Sequence, residues 1–130
     1  AVAQQAWEME SVDGGLTWGP ARASVVPNHS ASLEMVPLAG GSVALTFNNS
    51  TTGRFPLSAA ISDDEGRTWS AVADLIGDCP GGGCSYGYPS IAQDPTDGSL
   101  WITYTHNRRT VGWVHTNAPW IRAQGGSFAE

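Results

Sequence analysis

Two stretches of this 130-residue sequence, Ser11-Val-Asp13-Gly-Gly15-Leu-Thr17-Trp18 and Ser62-Asp-Asp64-Glu-Gly66-Arg-Thr68-Trp69, fit one template, S-x-D-x-G-x-T-W. Five fixed positions recurring in so short a chain mark an internal repeat rather than a coincidence of composition. The residue types describe a tight turn between two strands. Aspartate accepts hydrogen bonds from turn backbone, glycine reaches positive φ, and tryptophan supplies an apolar plate that packs under the following strand. The repeat is therefore read as architectural.

Working outward, Ser32 to Ser50 (SLEMVPLAGGSVALTFNNS) aligns with Ser90 to Arg108 (SIAQDPTDGSLWITYTHNR). Each is an apolar stretch, a glycine-containing turn and a β-rich run ending near Asn. Strands are expected near 5–11, 20–26, 32–38, 42–48, 57–62, 69–75, 89–94, 99–105 and 110–116. No segment sustains a 3.6-residue period, which predicts an all-β protein with very little helix.

Composition supports one folding unit. Charged residues make up only 14% of the chain while Gly (16) and Trp (6) are abundant, the mixture of short strands and turns. A net charge of −6 with no basic cluster beyond Arg108-Arg109 excludes nucleic acid as the expected partner. No apolar run approaches the roughly 20 residues a membrane-spanning helix needs. Cys79-Pro-Gly-Gly-Gly-Cys84 can close a small disulfide loop, which weakly favours an extracellular or secretory compartment; free thiols and a metal-binding pair are the alternatives. His29, His106 and His115 share no metal-ligand spacing, so neither a metal nor any other cofactor is expected. The tryptophans are expected mainly in the core.

With its two repeats and their flanks, the chain resembles the C-terminal part of the sialidase (neuraminidase) superfamily, whose BNR or Asp-box repeats share the template above. That resemblance implies a β-propeller of four-stranded antiparallel blades, the Asp box joining the third and fourth strands. The chain then divides into a half blade (1–27), a full blade (28–76), a three-stranded blade (77–118) and a tail (119–130). Propellers close with about four to eight blades, so about two and a half blades imply an incomplete portion of a catalytic domain. The remaining blades, or self-association, would cover its sheet edges.

A meander places its loops alternately at the two ends of a sheet. The stretches near 27–31, 48–56, 76–89 and 106–109 are expected together, opposite the Asp boxes. The resemblance implies that Arg54, in Asn48-Asn-Ser-Thr-Thr-Gly-Arg54, belongs to an arginine triad that grips the carboxylate of an acidic sugar. Guanidinium suits this because its planar fork binds carboxylate through two parallel hydrogen bonds. Tyr88, in Tyr88-Pro-Ser-Ile91 ahead of Asp97-Gly98, matches the family's nucleophilic tyrosine; Arg108 is expected to extend the anion site, the alternative being a surface pairing with an acidic residue. The implied activity is that of an exo-α-sialidase acting on terminal acidic sugars, with the segment alone inactive because other catalytic groups would lie upstream. The alternatives are a non-catalytic Asp-box propeller that binds glycan or protein, and an assembly factor. Three glycosylation sequons, at Asn28, Asn48 and Asn49, fall on the same proposed face.

Overall fold

Leu57-Ser-Ala-Ala-Ile-Ser62 is apolar or small at every position, and the strand it forms is buried along its whole length. In the computed structural model, which describes residues 4–130, this strand is β5 of nine. The others are β1 (Gln5–Glu8), β2 (Arg22–Pro27), β3 (Glu34–Pro37), β4 (Val43–Phe47), β6 (Ala71–Ile76), β7 (Tyr86–Gln93), β8 (Leu100–His106) and β9 (Thr110–Thr116). They form three antiparallel sheets ordered β1-β2, β3-β4-β5-β6 and β7-β8-β9. The expected strands are all present, with ends shifted by a few residues.

The central sheet is covered on both faces, which is why β5 lacks polar alternation. Leu57, Ala59 and Ile61 pack with Ile91, Leu100 and Ile102 of the third sheet. On the other face Leu45, Phe47, Ala60 and Val72 pack with Val26 of the first. Ala59, Ala60 and Ala73 keep the middle of the sheet thin, so both neighbours approach closely. Glu34 Oε2 accepts the Ile91 N–H at 2.6 Å, satisfying an edge donor of β7.

Both repeats have the same internal bonding. Ser62 Oγ donates to Asp64 Oδ1 at 2.8 Å and accepts the Gly66 N–H at 2.8 Å, while Asp64 accepts the Thr68 N–H at 2.7 Å and the Thr68 hydroxyl at 2.6 Å. Ser11, Asp13, Gly15 and Thr17 repeat this at 2.8, 2.8, 2.9 and 2.6 Å. Gly15 and Gly66 have φ of 90° and 86°, which an L side chain rarely adopts. Trp18 and Trp69 lie back over these glycines, and Trp18 Nε1 donates to Gly15 O at 3.1 Å. Each indole thus rests against its own turn.

One expectation is corrected. The tryptophans are not mainly core residues: Trp7, Trp18, Trp101, Trp113 and Trp120 are exposed and Trp69 is half-buried. Trp101, Trp113 and His115 stack on the outer face of β8 and β9, which no described sheet covers. The 119–130 stretch packs back onto the central sheet. After β9 comes a short helix, α1 (Ala118–Ala123), capped by Asn117, whose side chain accepts the Trp120 N–H at 2.8 Å. Arg122 makes a two-pronged ion pair with Asp63, Nη2 to Oδ1 at 2.6 Å and Nη1 to Oδ2 at 2.9 Å. The chain then crosses the edge of β6, where Gly126 N donates to Val72 O at 3.0 Å, and Phe128 packs edge-on against Phe47 and Trp69.

Native hydrogen bonds hold the Asp13, Asp63 and Asp64 carboxyls below their ordinary value. For Asp13 the Thr17 hydroxyl and amide bring it to about 2; for Asp63 the cause is foremost the Arg122 guanidinium, and for Asp64 the Thr68 hydroxyl. Because each folded value lies below the unfolded one, the stabilisation is complete above the unfolded carboxylate range. It is lost as pH falls through the folded values. Urea midpoints are therefore expected to be flat above about pH 5 and to fall steadily from about pH 4 towards 2. Asp13→Asn with Asp64→Asn should flatten that slope; an unchanged slope would contradict the assignment.

Candidate functional site

The β4–β5 loop, residues 48–56, and the start of β7 meet at the end of the sheets opposite the Asp boxes. Their junction is fixed by backbone and a buried amide. Tyr86 N donates to Arg54 O at 2.7 Å. The buried Asn48 donates through Nδ2 to Pro56 O at 3.0 Å and to Tyr86 O at 2.9 Å, tying the loop's exit to the adjacent sheet. Within the loop, Ser50 Oγ accepts the Thr52 and Gly53 N–H groups at 3.1 and 3.2 Å. The 106–109 turn joins the same end: Asn107 Oδ1 accepts the Ser85 N–H and Asn107 N donates to Ser85 O, both at 2.7 Å.

This frame brings Arg54 and Tyr88 together. The guanidinium carbon of Arg54 stands 4.9 Å from the centre of the Tyr88 ring, a cation–π arrangement. Gly87 makes room for it, since a Cβ there would lie 2.7 Å from Arg54 Nη1. Tyr88 sits at an irregularity in the β7–β8 register between Gly87 and Ser90, with φ of 52° and 64% of its surface exposed. A non-glycine residue in that region is strained, and such strain concentrates where side chains are aimed for use. Beneath it, Tyr86 is buried and edge-packed on Tyr104, with His106 beside both rings. Burial pushes the Tyr104 phenol above its ordinary value, with Tyr86 adding to the shift.

Charge distribution sets this end apart. The chain's six basic residues are all arginines, and Arg22, Arg67 and Arg122 are paired with carboxylates. Arg54, Arg108 and Arg109 have no ion pair among the described residues, and all three belong to loops at this end. In a chain of net charge −6 this gathers the unpaired positive charge of the described residues at one end. Arg108, at φ 57° on the 106–109 turn, is exposed and makes no described contact with Arg54 or Tyr88. His29 contacts Gln4 at 3.0 Å in the 28–31 segment. Cys79 and Cys84 are joined as a disulfide in the loop between β6 and β7, residues 77–85. Among the described residues no group of His, Cys, Asp and Glu could hold a metal ion, and no helix is long and apolar enough to cross a membrane.

Sequence reasoning singled out Arg54, Tyr88 and Arg108 but not their supports. Gly87 as the slot for the guanidinium and Asn48 as the brace are visible only once β7 lies beside the loop. The one signal for Asn48 is its place at the end of an apolar strand.

Comparison with solved structures defines the class. The fold is sialidase-like: leech intramolecular trans-sialidase, solved in complex with 2,7-anhydro-Neu5Ac, superposes with a TM-score of 0.71 at 17% identity, covering 94% of this chain. The chain spans 21% of that protein's length. The BNR repeat-like domain family matches residues 2–102, and the chain belongs to that family. No curated protein matches it.

Substituting Gly87→Ala is expected to push the flexible end of Arg54 off the Tyr88 ring while costing less than about 1 kcal/mol in a urea melt, since a guanidinium can move aside. Nuclear Overhauser contacts between Arg54 and the Tyr88 ring report the displacement; their persistence would contradict the packing described.

Proposed function

We propose that this chain is part of a sialidase-type β-propeller whose site binds the carboxylate of a terminal acidic sugar, as in an exo-α-sialidase. The observation that carries the reading is the Arg54–Tyr88 pair: an arginine without a carboxylate partner among the described residues, held against an exposed phenol. Arg54 would receive the carboxylate through its guanidinium fork, and Arg108 would add positive charge from the adjacent turn. Tyr88 would attack the anomeric carbon as the aglycone leaves, giving a glycosyl-tyrosine that water then hydrolyses. A neutral phenol approaches a carboxylate-bearing carbon with less repulsion than a carboxylate would, and tyrosine nucleophiles are the known sialidase exception among retaining glycosidases.

The phenol needs a base, and no carboxylate or imidazole is hydrogen-bonded to Tyr88 among the described residues. The acid and base groups would come from elsewhere in the ring. The sheets support that arrangement as a half blade (1–27), a full blade (28–76), three strands of a third (77–118) and a terminal segment (119–130). A cavity of about 610 Å³ beside β1, lined by Ala6, Leu33, Met35 and Leu45, is where two inner strands of the half blade would lie. The stacked Trp101, Trp113 and His115 would receive a further sheet or a second chain. The disulfide fits an oxidising, extracellular or secretory setting.

The cation–π contact of Arg54 on Tyr88 also fits a second reading, in which the same pair binds a glycan without cleaving it. Titration of N-acetylneuraminate is expected to perturb Arg54 and Tyr88 resonances, and Arg54→Ala to weaken binding about 10- to 100-fold, the worth of a charge-assisted pair. No binding, or binding indifferent to Arg54, would contradict the site. A protein carrying the whole ring should release product from a fluorogenic sialoside; binding without turnover selects the second reading.

A further inference from the structure

The segment 117–129 runs as a strap across the central sheet, and it ends on the loop that carries Arg54. At one end Arg122 grips Asp63 in the β5–β6 turn, with Ser42 and Ser70 accepting further bonds from its guanidinium at 3.3 and 3.0 Å. At the other end the strap meets Asn49. The Asn49 carboxamide donates through Nδ2 to Ser127 O at 2.9 Å and accepts the Ala129 N–H through Oδ1 at 2.7 Å, the two-point pairing a neighbouring strand would offer. Phe128, between these two bonds, is pinned by Phe47 and Trp69 with ring centres 5.7 and 6.5 Å away.

Asn49 stands next to the site's brace. Asn48 holds Pro56 and Tyr86, and Ser50 N donates back to Asn48 O at 2.8 Å, so three consecutive residues link the strap to the frame of Arg54. A shift at Asn49 has little slack to absorb it before it reaches the Ser50 hydroxyl that closes the loop on Thr52 and Gly53. We infer that Asn49 is a positioning residue: the strap, docked on its side chain, fixes the 48–56 loop and thereby keeps Arg54 over Tyr88. Its consequence for ligand affinity rests on the carboxylate-binding reading of Arg54; the mechanical coupling does not.

Two variants of the chain separate these points. Asn49→Ala removes the docking amide, and deletion of residues 127–130 removes the end of the strap that docks on it, with Phe128, while leaving Asn49 and the Arg122 anchor in place. In both, amide exchange across residues 50–56 is expected to accelerate at least about fivefold, with β5 and β8 retaining protection. The Arg54 side-chain Nε–H should gain mobility, and affinity for N-acetylneuraminate should fall. A folded variant in which residues 50–56 and Arg54 keep their protection overturns the coupling, and if Asn49→Ala fails to fold the deletion alone decides it. Absence of N-acetylneuraminate binding by the unaltered chain would instead remove the carboxylate reading, with the exchange results still deciding the role of Asn49.

Discussion

Everything at the candidate site depends on the close face-to-face packing of the central sheet against the β7–β9 sheet. Leu57, Ala59 and Ile61 meet Ile91, Leu100 and Ile102 there, all buried. Burial of this apolar surface is the main favourable term, and it sets the spacing between two sheets that share no backbone ladder. Only at that spacing can Tyr86 N reach Arg54 O and can one asparagine, Asn48, bond to both sides of the junction. The Arg54–Tyr88 contact is a product of sheet stacking, since each residue comes from a different sheet.

The Asp boxes act at the opposite end and by a different means. Their hydrogen bonds are local, spanning at most four residues, and they are largely exposed, so each shapes a turn more than it stabilises the whole. Their value to the site is directional. By closing β1–β2 and β5–β6 at one end, they oblige the 48–56 loop to emerge at the other. Asp63, within the second box, also holds Arg122, so the same turn anchors the strap that reaches Asn49.

Much of the fold was legible because its signals are local. A short apolar run bounded by a glycine turn reads as a strand, and β3–β4 and β7–β8 repeat that pattern. The order of strand, loop and Asp box gave the end of the sheets where Arg54 and Tyr88 lie, while the family resemblance singled out the two residues. Contacts between distant segments leave no such trace. Asn49 and Ser127 are 78 residues apart, and nothing in either neighbourhood announces their pairing. The helix α1 was missed because six residues are too few for a period, although Asn117 followed by Pro119 is a capping signal. The exposed tryptophans escaped for another reason: strand alternation tells which residues share a face, whereas what covers that face depends on the neighbouring sheet.

The chemical claim that unites these features is that the Arg54 end recognises a carboxylate rather than a sugar in general. Parallel titrations of the chain with N-acetylneuraminate and with its methyl ester, followed at the Arg54 side-chain resonance, test it directly. The account predicts saturable shifts with the free acid and a loss of at least about tenfold in affinity with the ester, whose carboxyl carries no charge for the guanidinium to pair. Equal affinity for the two, or shifts that leave Arg54 untouched, would contradict it.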